Sequence, residues 1–321
     1  MNDRAIPPLT GKVITVLGGS GFVGRHLAQE LLARGARLRI ASRNPEKAYM
    51  IKPLGNLGQV AFARVDVTRP ETLGPALAGS DAVVYLVGAF SGNLDALQGK
   101  GVGQVAEAAK QAGAQSFVHI SALGCDAQSP IAYSRTKAQG EEAVRAHFPE
   151  ATILRPSLLF GPDDQFIQMF ARLISSAPFL PVFAPEARVQ PLFVDDLADA
   201  VSNAIAVPET AAGKTFEVAG PEAISMIELH RRIAHAQGRN RSFIELPDAI
   251  GSGLATVMGF LPGGPISSDQ YALLKAGSVA GGSLPQITDL GVHPRPLELF
   301  LDRWMVPYRK HGRFGDATPA P

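Results

Sequence analysis

Short apolar runs alternate with amphipathic segments through the first half of the chain. Apolar runs of this kind indicate buried strands, and apolar residues spaced three and four positions apart indicate helices. We predict strands at residues 13–17, 38–41, 60–64, 82–86, 116–120 and 152–155, and the clearest helices at 25–34, 102–112 and 134–147. Strands and helices that alternate in this way predict a parallel sheet covered on both faces.

The alternation ends near Gly161. The rest of the chain is irregular and rich in proline, with helices predicted near residues 165–174, 194–205 and 225–237. We interpret residues 1–161 as a sheet domain and residues 162–309 as a smaller C-terminal lobe, packed so closely that the two could form one domain. The lobe is expected to cover the carboxyl ends of the strands, where such sheets bind ligands. Residues 310–321 are expected to form a flexible tail.

A glycine-rich turn joins the first strand to the first helix, with Gly18, Gly21 and Gly24 at three-residue intervals. Glycine permits a tight turn and lets a pyrophosphate approach the backbone, while the helix amides favour its negative charge. The turn predicts a Rossmann-type, doubly wound α/β fold that binds a dinucleotide; a glycine turn without a ligand is the alternative. The predicted contacts are Gly18, Ser20, Gly21, Phe22, Val23, Gly24 and Arg25.

The end of the second strand favours NADP(H) over NAD(H). An acidic residue there would bind the ribose hydroxyls of NAD, whereas this chain has Ser42 and Arg43. A guanidinium can bind a 2′-phosphate through two hydrogen bonds, and Arg25 is placed to assist. Alternatively, Arg43 is an ordinary solvated surface residue. Asp66, which follows the third strand, is predicted either to contact the cofactor or to cap the segment that follows it. Further cofactor contacts are predicted at Asp66, Val67, Leu86, Val87, Gly88 and Pro156.

Tyr133 and Lys137 lie four residues apart on a predicted helix and therefore share one face. A lysine ammonium beside the phenol would lower the pKa of Tyr133 from ~10 toward neutrality, which suits a proton donor or acceptor at a carbonyl. Both residues are also expected to contact the cofactor, Lys137 at the nicotinamide ribose. Ser121 is a third catalytic candidate, although strand alternation directs its side chain away from the site and the next position, Ala122, toward it.

The chain carries 30 basic and 29 acidic residues, a balance that does not favour a nucleic-acid partner. A single cysteine, Cys125, excludes an internal disulfide, and the scattered histidines predict no metal site. We interpret Cys125 as a buried, inert side chain in preference to a reactive thiol. The N-terminus lacks an apolar signal region and no run approaches the ~20 apolar residues of a membrane span, so we expect a cytoplasmic protein.

The glycine turn, the Tyr133–Lys137 pair and LRPS at 154–157 resemble the extended and atypical short-chain dehydrogenases/reductases. Several connecting segments resemble, more specifically, the NADPH-binding Rossmann-type accessory subunit of respiratory complex I and its bacterial relatives. These segments are MIKPLGNLGQV (50–60), FVHISAL (117–123), HFPEA (147–151), QPLFVDD (190–196) and, more weakly, DLG (289–291) followed by PLEL (296–299). The resemblance implies a tightly held cofactor with a structural or regulatory role.

The function that this resemblance implies is an accessory or regulatory one, in complex I or in quinone metabolism. The alternatives are an NADPH-dependent reductase or epimerase, acting on a quinone-pathway intermediate or a nucleotide sugar, and a module that senses the NADPH/NADP ratio. Ala122, which cannot polarise a substrate oxygen, argues against rapid hydride transfer. The expected partner is complex I or another membrane-associated protein. Residues 246–262 or 304–313 would contact the inner face of the cytoplasmic membrane. Alternatively, the apolar side chains of these segments pack in the protein core.

Overall fold

The computed structural model describes residues 6–248, 251–253, 268–310 and 312. The strands are β1 Val13–Leu17, β2 Arg37–Ser42, β3 Val60–Arg64, β4 Ala82–Tyr85, β5 Ser116–Ile120, β6 Thr152–Pro156, β7 Leu159–Phe160, β8 Phe179–Val182, β9 Arg188–Val189, β10 Leu192–Phe193, β11 Thr215–Val218, β12 Ile224–Ser225 and β13 Ser242–Glu245. The helices are α1 Phe22–Ala33, α2 Leu73–Leu77, α3 Leu94–Gln98, α4 Lys100–Gln111, α5 Ala132–His147, α6 Phe166–Ser176, α7 Val194–Ala206, α8 Pro208–Ala211, α9 Met226–Ala236, α10 Ser268–Ala276 and α11 Glu298–Trp304. Four 3₁₀ segments complete the described elements: Pro45–Leu54, Pro70–Thr72, Ile287–Leu290 and Val306–Tyr308.

The chain divides into two compact units, and each is assembled from three stretches of sequence. The first unit contains Met1–Pro156, Val194–Val218 and Ala280–Pro294. The second contains Ser157–Phe193, Ala219–Val279 and Arg295–Pro321. The single domain boundary at residue 161 stays a prediction.

A parallel sheet forms the centre of the first unit, with the strand order β11-β6-β5-β4-β1-β2-β3. Ile14, Val16, Val83 and Val84 in its central strands have no exposed surface, as expected when helices cover both faces. From β1 the order continues through β2 and β3 on one side and through β4, β5 and β6 on the other. Sheets with this reversal of strand order bind ligands at the carboxyl ends of the two strands where it occurs, here β1 and β4. The predicted doubly wound α/β fold is confirmed, and each of the six predicted strands is found within one residue at either end.

Strand β11 is an edge strand that the sequence pattern does not predict. It pairs in parallel with β6, from Thr215 opposite Ile153 to Val218 opposite Pro156. The strand has only four residues and lies beyond the region of regular alternation, so its apolar positions give little signal. The sheet of the first unit is therefore completed by residues that follow the predicted boundary.

Helix α7 packs against α1 in the first unit. His26 Nδ1 lies 2.6 Å from Asp195 Oδ1, and Arg34 Nη1 donates a hydrogen bond of 2.6 Å to Asn203 Oδ1. These contacts place a helix from the middle of the chain beside the helix that follows the glycine turn.

The second unit contains three two-stranded ladders: β10 with β7 and β13 with β8 in parallel, and β12 with β9 antiparallel. Phe300 stacks against both Phe193 and Trp304, with ring centroids 4.2 and 4.9 Å away, and these two rings are 5.9 Å apart. Trp304 therefore packs against other aromatic side chains, as expected if it belongs to the protein core and does not anchor a membrane contact. Most of residues 246–262, together with 311 and 313, lie outside the described residues. Among the residues that are described, no helix has the length and apolar character needed to cross a bilayer.

Candidate functional site

The glycine turn after β1 is fixed by backbone contacts on both sides. Gly18 adopts a left-handed φ of 79° and donates to the carbonyl of Ala41 at 3.0 Å, which ties the turn to β2. A Cβ at Gly24 would lie 2.4 Å from the carbonyl oxygen of Gly19, so this position admits no larger side chain without movement of the backbone. The tight turn predicted from the sequence is therefore present.

The N-terminus of α1 follows the turn directly. Gly21 is the N-cap and supplies no side-chain hydrogen bond, and the first turn of the helix carries no acidic residue. The first amides of a helix have no acceptor within it, and together with the dipole they form a site for an anion. The turn and helix thus fit the pyrophosphate of a dinucleotide. Arg25, in the same turn, has its Nη1 atom 3.9 Å from Met50 Sδ.

The carboxyl end of β2 presents a buried polar atom beside an exposed cation. Ser42 Oγ is buried and has no hydrogen-bond partner among the described residues. The next residue, Arg43, is exposed, and its carbonyl accepts a hydrogen bond of 3.1 Å from Arg64 Nε. Buried hydroxyls normally have partners, so Ser42 offers an available donor where the sequence places the ribose of the cofactor.

Asp66, at the end of β3, is engaged within its own turn. Its Oδ1 accepts hydrogen bonds from the amide of Thr68 at 3.0 Å and from the Thr68 hydroxyl at 2.7 Å. These bonds hold the pKa of Asp66 below its ordinary value, with smaller contributions from Arg43 and Arg69. These hydrogen bonds match the capping role that was the alternative for Asp66. A contact between Asp66 and the adenine of the cofactor stays a prediction. The predicted cofactor contact of Val67, its buried neighbour, also stays a prediction.

The end of β4 lies between the glycine turn and α5. A Cβ at Gly18 would be 3.2 Å from the backbone of Leu86 and Val87, and a Cβ at Gly88 would be 3.4 Å from Lys137 Nζ. The structure therefore brings the predicted contacts from β1, β4 and α5 to one edge of the sheet. Pro156 is buried at the end of β6, where its carbonyl accepts from the amide of Leu123 at 3.0 Å.

Lys137 is buried on α5 and donates a hydrogen bond of 2.8 Å to the carbonyl of Ile120. Burial lowers its pKa to about 8, against the opposing effects of Cys125 and Glu141. Lys137 Nζ lies 6.0 Å from the centroid of the Tyr133 ring. Burial, aided by Cys125, raises the pKa of Tyr133 to about 12. The expected lowering of the Tyr133 pKa is therefore wrong for the protein alone, because desolvation of the phenol dominates.

One face of Tyr133 is covered by Phe90, which the sequence did not single out. The two rings are stacked, with centroids 4.7 Å apart and planes inclined by 21°. Phe90 follows β4 and keeps 54% of its surface exposed. An isolated phenylalanine in a polar loop gives no periodic signal, so only the tertiary structure reveals this pair.

Ser121 belongs to a partly buried polar network, in which Cys125 and Arg155 keep some exposed surface. Its hydroxyl donates to Cys125 Sγ at 3.7 Å, and the Cys125 thiol donates to Glu141 Oε1 at 3.0 Å. Arg155 donates to both oxygens of Glu141, from Nε at 2.9 Å and from Nη2 at 2.7 Å. The Ser121 hydroxyl is thus directed toward Cys125 in this network, and a catalytic role for Ser121 stays a prediction. Glu141 was not predicted from the sequence, although its position four residues after Lys137 on the same helix is a signal for it.

The chain is similar to known NAD(P)H-binding proteins. Residues 18–169 match a family model described as NAD(P)H-binding. The chain is 32% identical over 300 residues to "NADH dehydrogenase [ubiquinone] 1 alpha subcomplex subunit 9, mitochondrial" of Rattus norvegicus, covering 91% of this chain and 79% of that protein. It is 29% identical over 240 residues to a ceramide reductase of Caulobacter vibrioides, covering 74% of each. The structure of the NADPH-dependent quinone oxidoreductase QOR2 from Escherichia coli, complexed with NADPH, has a TM-score of 0.74 at 19% identity and covers 90% of this chain and 99% of that chain.

The fold and the site define an NAD(P)H-binding atypical short-chain dehydrogenase/reductase. Within that class, the chain belongs to the family that includes the complex I alpha subcomplex subunit 9. The resemblance found in the connecting segments of the sequence is confirmed.

Proposed function

We propose that this protein binds NADP(H) as an accessory or regulatory component of respiratory complex I or of quinone metabolism. The observation that carries this proposal is a contrast within the site. The glycine turn, the helix N-terminus and Ser42 fit a dinucleotide, whereas burial disfavours ionisation of Tyr133. The similarity to a complex I subunit over 91% of the chain supports the proposed partner. Localisation at the inner face of the cytoplasmic membrane is part of the proposal.

The association with complex I is testable in native membranes. We would solubilise them with a mild detergent, separate the extract on a density gradient and locate this chain by immunoblot. Co-sedimentation with NADH dehydrogenase activity is expected. Migration of the whole population as a free monomer or dimer would contradict a stable association.

The preference for NADP(H) is proposed to reside in Arg43. An Arg43→Ala substitution is expected to weaken NADPH binding by about tenfold or more, because charge-assisted hydrogen bonds to the 2′-phosphate are lost. NADH, which has no such phosphate, should bind equally well to both proteins. Isothermal titration calorimetry measures the two affinities.

Arg37→Ala is the matched control for Arg43→Ala, since Arg37 is an exposed arginine at the opposite end of β2. Arg37→Ala also removes one positive charge, at the end of β2 away from the predicted cofactor site, and should leave NADPH affinity unchanged at moderate salt. Equal NADPH affinities for wild type and Arg43→Ala would contradict the proposed preference.

An NADPH-dependent reductase is the second candidate function. Tyr133 and Lys137 on one face of α5, with the exposed ring of Phe90 beside them, favour it. If Tyr133 is the proton donor, Tyr133→Phe should reduce turnover of a quinone or other carbonyl substrate by about 10²-fold or more, while NADPH affinity is retained. Equal turnover by wild type and variant would exclude Tyr133 as an essential acid.

A further inference from the structure

Tyr133, Lys137 and Glu141 recur at intervals of four residues on α5, so their side chains follow one face of the helix. The first two have proposed roles toward the cofactor. Glu141 has none, although only 7% of its surface is exposed. A buried carboxylate one helical turn from a buried amine favours the protonated form of that amine.

Arg155 and Cys125 fix the position of the Glu141 carboxylate. The guanidinium of Arg155 donates one hydrogen bond to each oxygen, at 2.9 and 2.7 Å, and the thiol of Cys125 donates a third at 3.0 Å. Two parallel bonds from one guanidinium restrain both the distance and the plane of a carboxylate. The negative charge of Glu141 is therefore held at a defined place beside the helix face that carries Lys137.

The other groups around Lys137 provide little charge. The imidazole of His119, on β5, is buried, and both burial and Lys137 hold its pKa well below the ordinary value, so it is neutral. The pKa values of Cys125 and Tyr133 are both raised to about 12, so these groups are neutral near pH 8 as well. Ile120 contributes a carbonyl oxygen and Gly88 only backbone. Cys125 and Glu141 both oppose the desolvation of Lys137, and of these two Glu141, paired with Arg155, is the one that carries a charge near pH 8.

We propose that Glu141, held by Arg155, keeps Lys137 protonated and thereby sets the upper pH limit of NADP(H) binding. This inference rests on the proposed function, which assigns Lys137 to the nicotinamide ribose. Glu141 is a positioning residue that acts through Lys137. The ammonium form donates hydrogen bonds and carries the charge that complements an anionic cofactor, whereas the neutral amine does not carry that charge.

The first test compares NADPH affinity at two pH values in wild type and Glu141→Gln. Burial holds the pKa of Lys137 at about 8 and Glu141 opposes this effect, so loss of Glu141 is expected to lower the pKa further. If the decrease is about one unit, the protonated fraction falls about eightfold at pH 8.5 but less than about 1.5-fold at pH 6.5. NADPH affinity should decrease by the same factors. Glu142→Gln is the matched control, because Glu142 is the exposed neighbour of Glu141 on α5, and it should behave as wild type.

The second test follows Lys137 without any cofactor. Lysine labelled with ¹³C at Cε gives an NMR signal that shifts as the amine titrates, and loss of one signal in Lys137→Met identifies the relevant resonance. In Glu141→Gln this resonance should titrate at a lower pH than in wild type. Glu141→Gln alone leaves the guanidinium of Arg155 without its carboxylate partner, which could destabilise the fold. The double variant Glu141→Gln/Arg155→Met removes both charges and therefore avoids this problem. It should shift the titration in the same direction by a smaller amount.

The two tests separate the inference from the function on which it rests. An unchanged Lys137 titration in both variants would overturn the role of Glu141 while leaving NADPH binding intact. An altered titration without the pH-dependent loss of affinity would overturn the link to the cofactor. A wild-type protein that binds no NADPH at any pH would overturn the proposed function together with that link.

Discussion

Cys125 is expected to react with a chromogenic disulfide reagent at least about 30-fold more slowly in the native protein at pH 8 than in the urea-unfolded chain. Burial and Glu141 raise the pKa of this thiol from 9.0 to about 12. Its thiolate fraction at pH 8 therefore falls by roughly 10³, and the greater nucleophilicity of a more basic thiolate recovers only part of this loss. The chain has one cysteine, so the released chromophore reports on this residue alone.

Glu141→Gln provides a check on the cause of this slow reaction. The carboxylate of Glu141 contributes to the raised pKa of Cys125, both by its charge and by its hydrogen bond. The variant should therefore react faster than wild type while remaining folded by circular dichroism. A native thiol that reacts as fast as the unfolded one would contradict our interpretation of Cys125 as inert.

Gly24→Ala is expected to lower the free energy of unfolding by about 3 kcal/mol and to abolish measurable NADPH binding. Its Cβ would lie 2.4–2.5 Å from backbone atoms of Gly19, which cannot turn away as a flexible side chain could. Overpacking of this kind commonly costs about 1–3 kcal/mol, and displacement of a backbone turn lies at the upper end. Urea denaturation measures the change in stability, and calorimetry measures binding.

Gly21→Ala separates stability from binding in the same turn. At Gly21 the nearest atom to a new Cβ is the carbonyl oxygen of Gly18 at 3.4 Å, and the φ of −81° suits alanine. Stability should therefore stay within about 0.5 kcal/mol of wild type. NADPH binding should weaken, because the methyl group occupies the space where a pyrophosphate approaches the helix amides. Equal loss of stability in the two variants would contradict this assignment.

The parts of the molecule that the sequence predicts well are those specified by local chemistry. The turn of Gly18, Gly21 and Gly24 and the four-residue spacing of Tyr133 and Lys137 depend on neighbours in the chain, and the structure contains both. Central strands of a parallel sheet are buried on both faces, so their continuous apolar runs are visible without tertiary information. The fold class followed from these features, and the family followed from the connecting segments, such as MIKPLGNLGQV at 50–60.

The features that sequence reasoning missed depend on contacts between distant residues. Arg155 reaches Glu141 from another element, and Phe90 covers Tyr133 from the end of β4. The direction of the Tyr133 pKa was predicted wrongly, because residue spacing shows the neighbouring lysine but not the burial of the phenol. The preference between NADP(H) and NAD(H) stays a prediction that depends on Arg43.

The late position of β11 in the chain has a consequence for protein synthesis. Six strands of the sheet have been synthesised once residue 156 has left the ribosome. The outer edge of β6 has no partner strand, however, until β11 (Thr215–Val218) emerges. An unpaired edge offers a row of peptide groups to any other strand nearby. Nascent chains that stall between these two points should therefore associate through β6, and translation through this interval is the stage at which a chaperone would benefit the protein most.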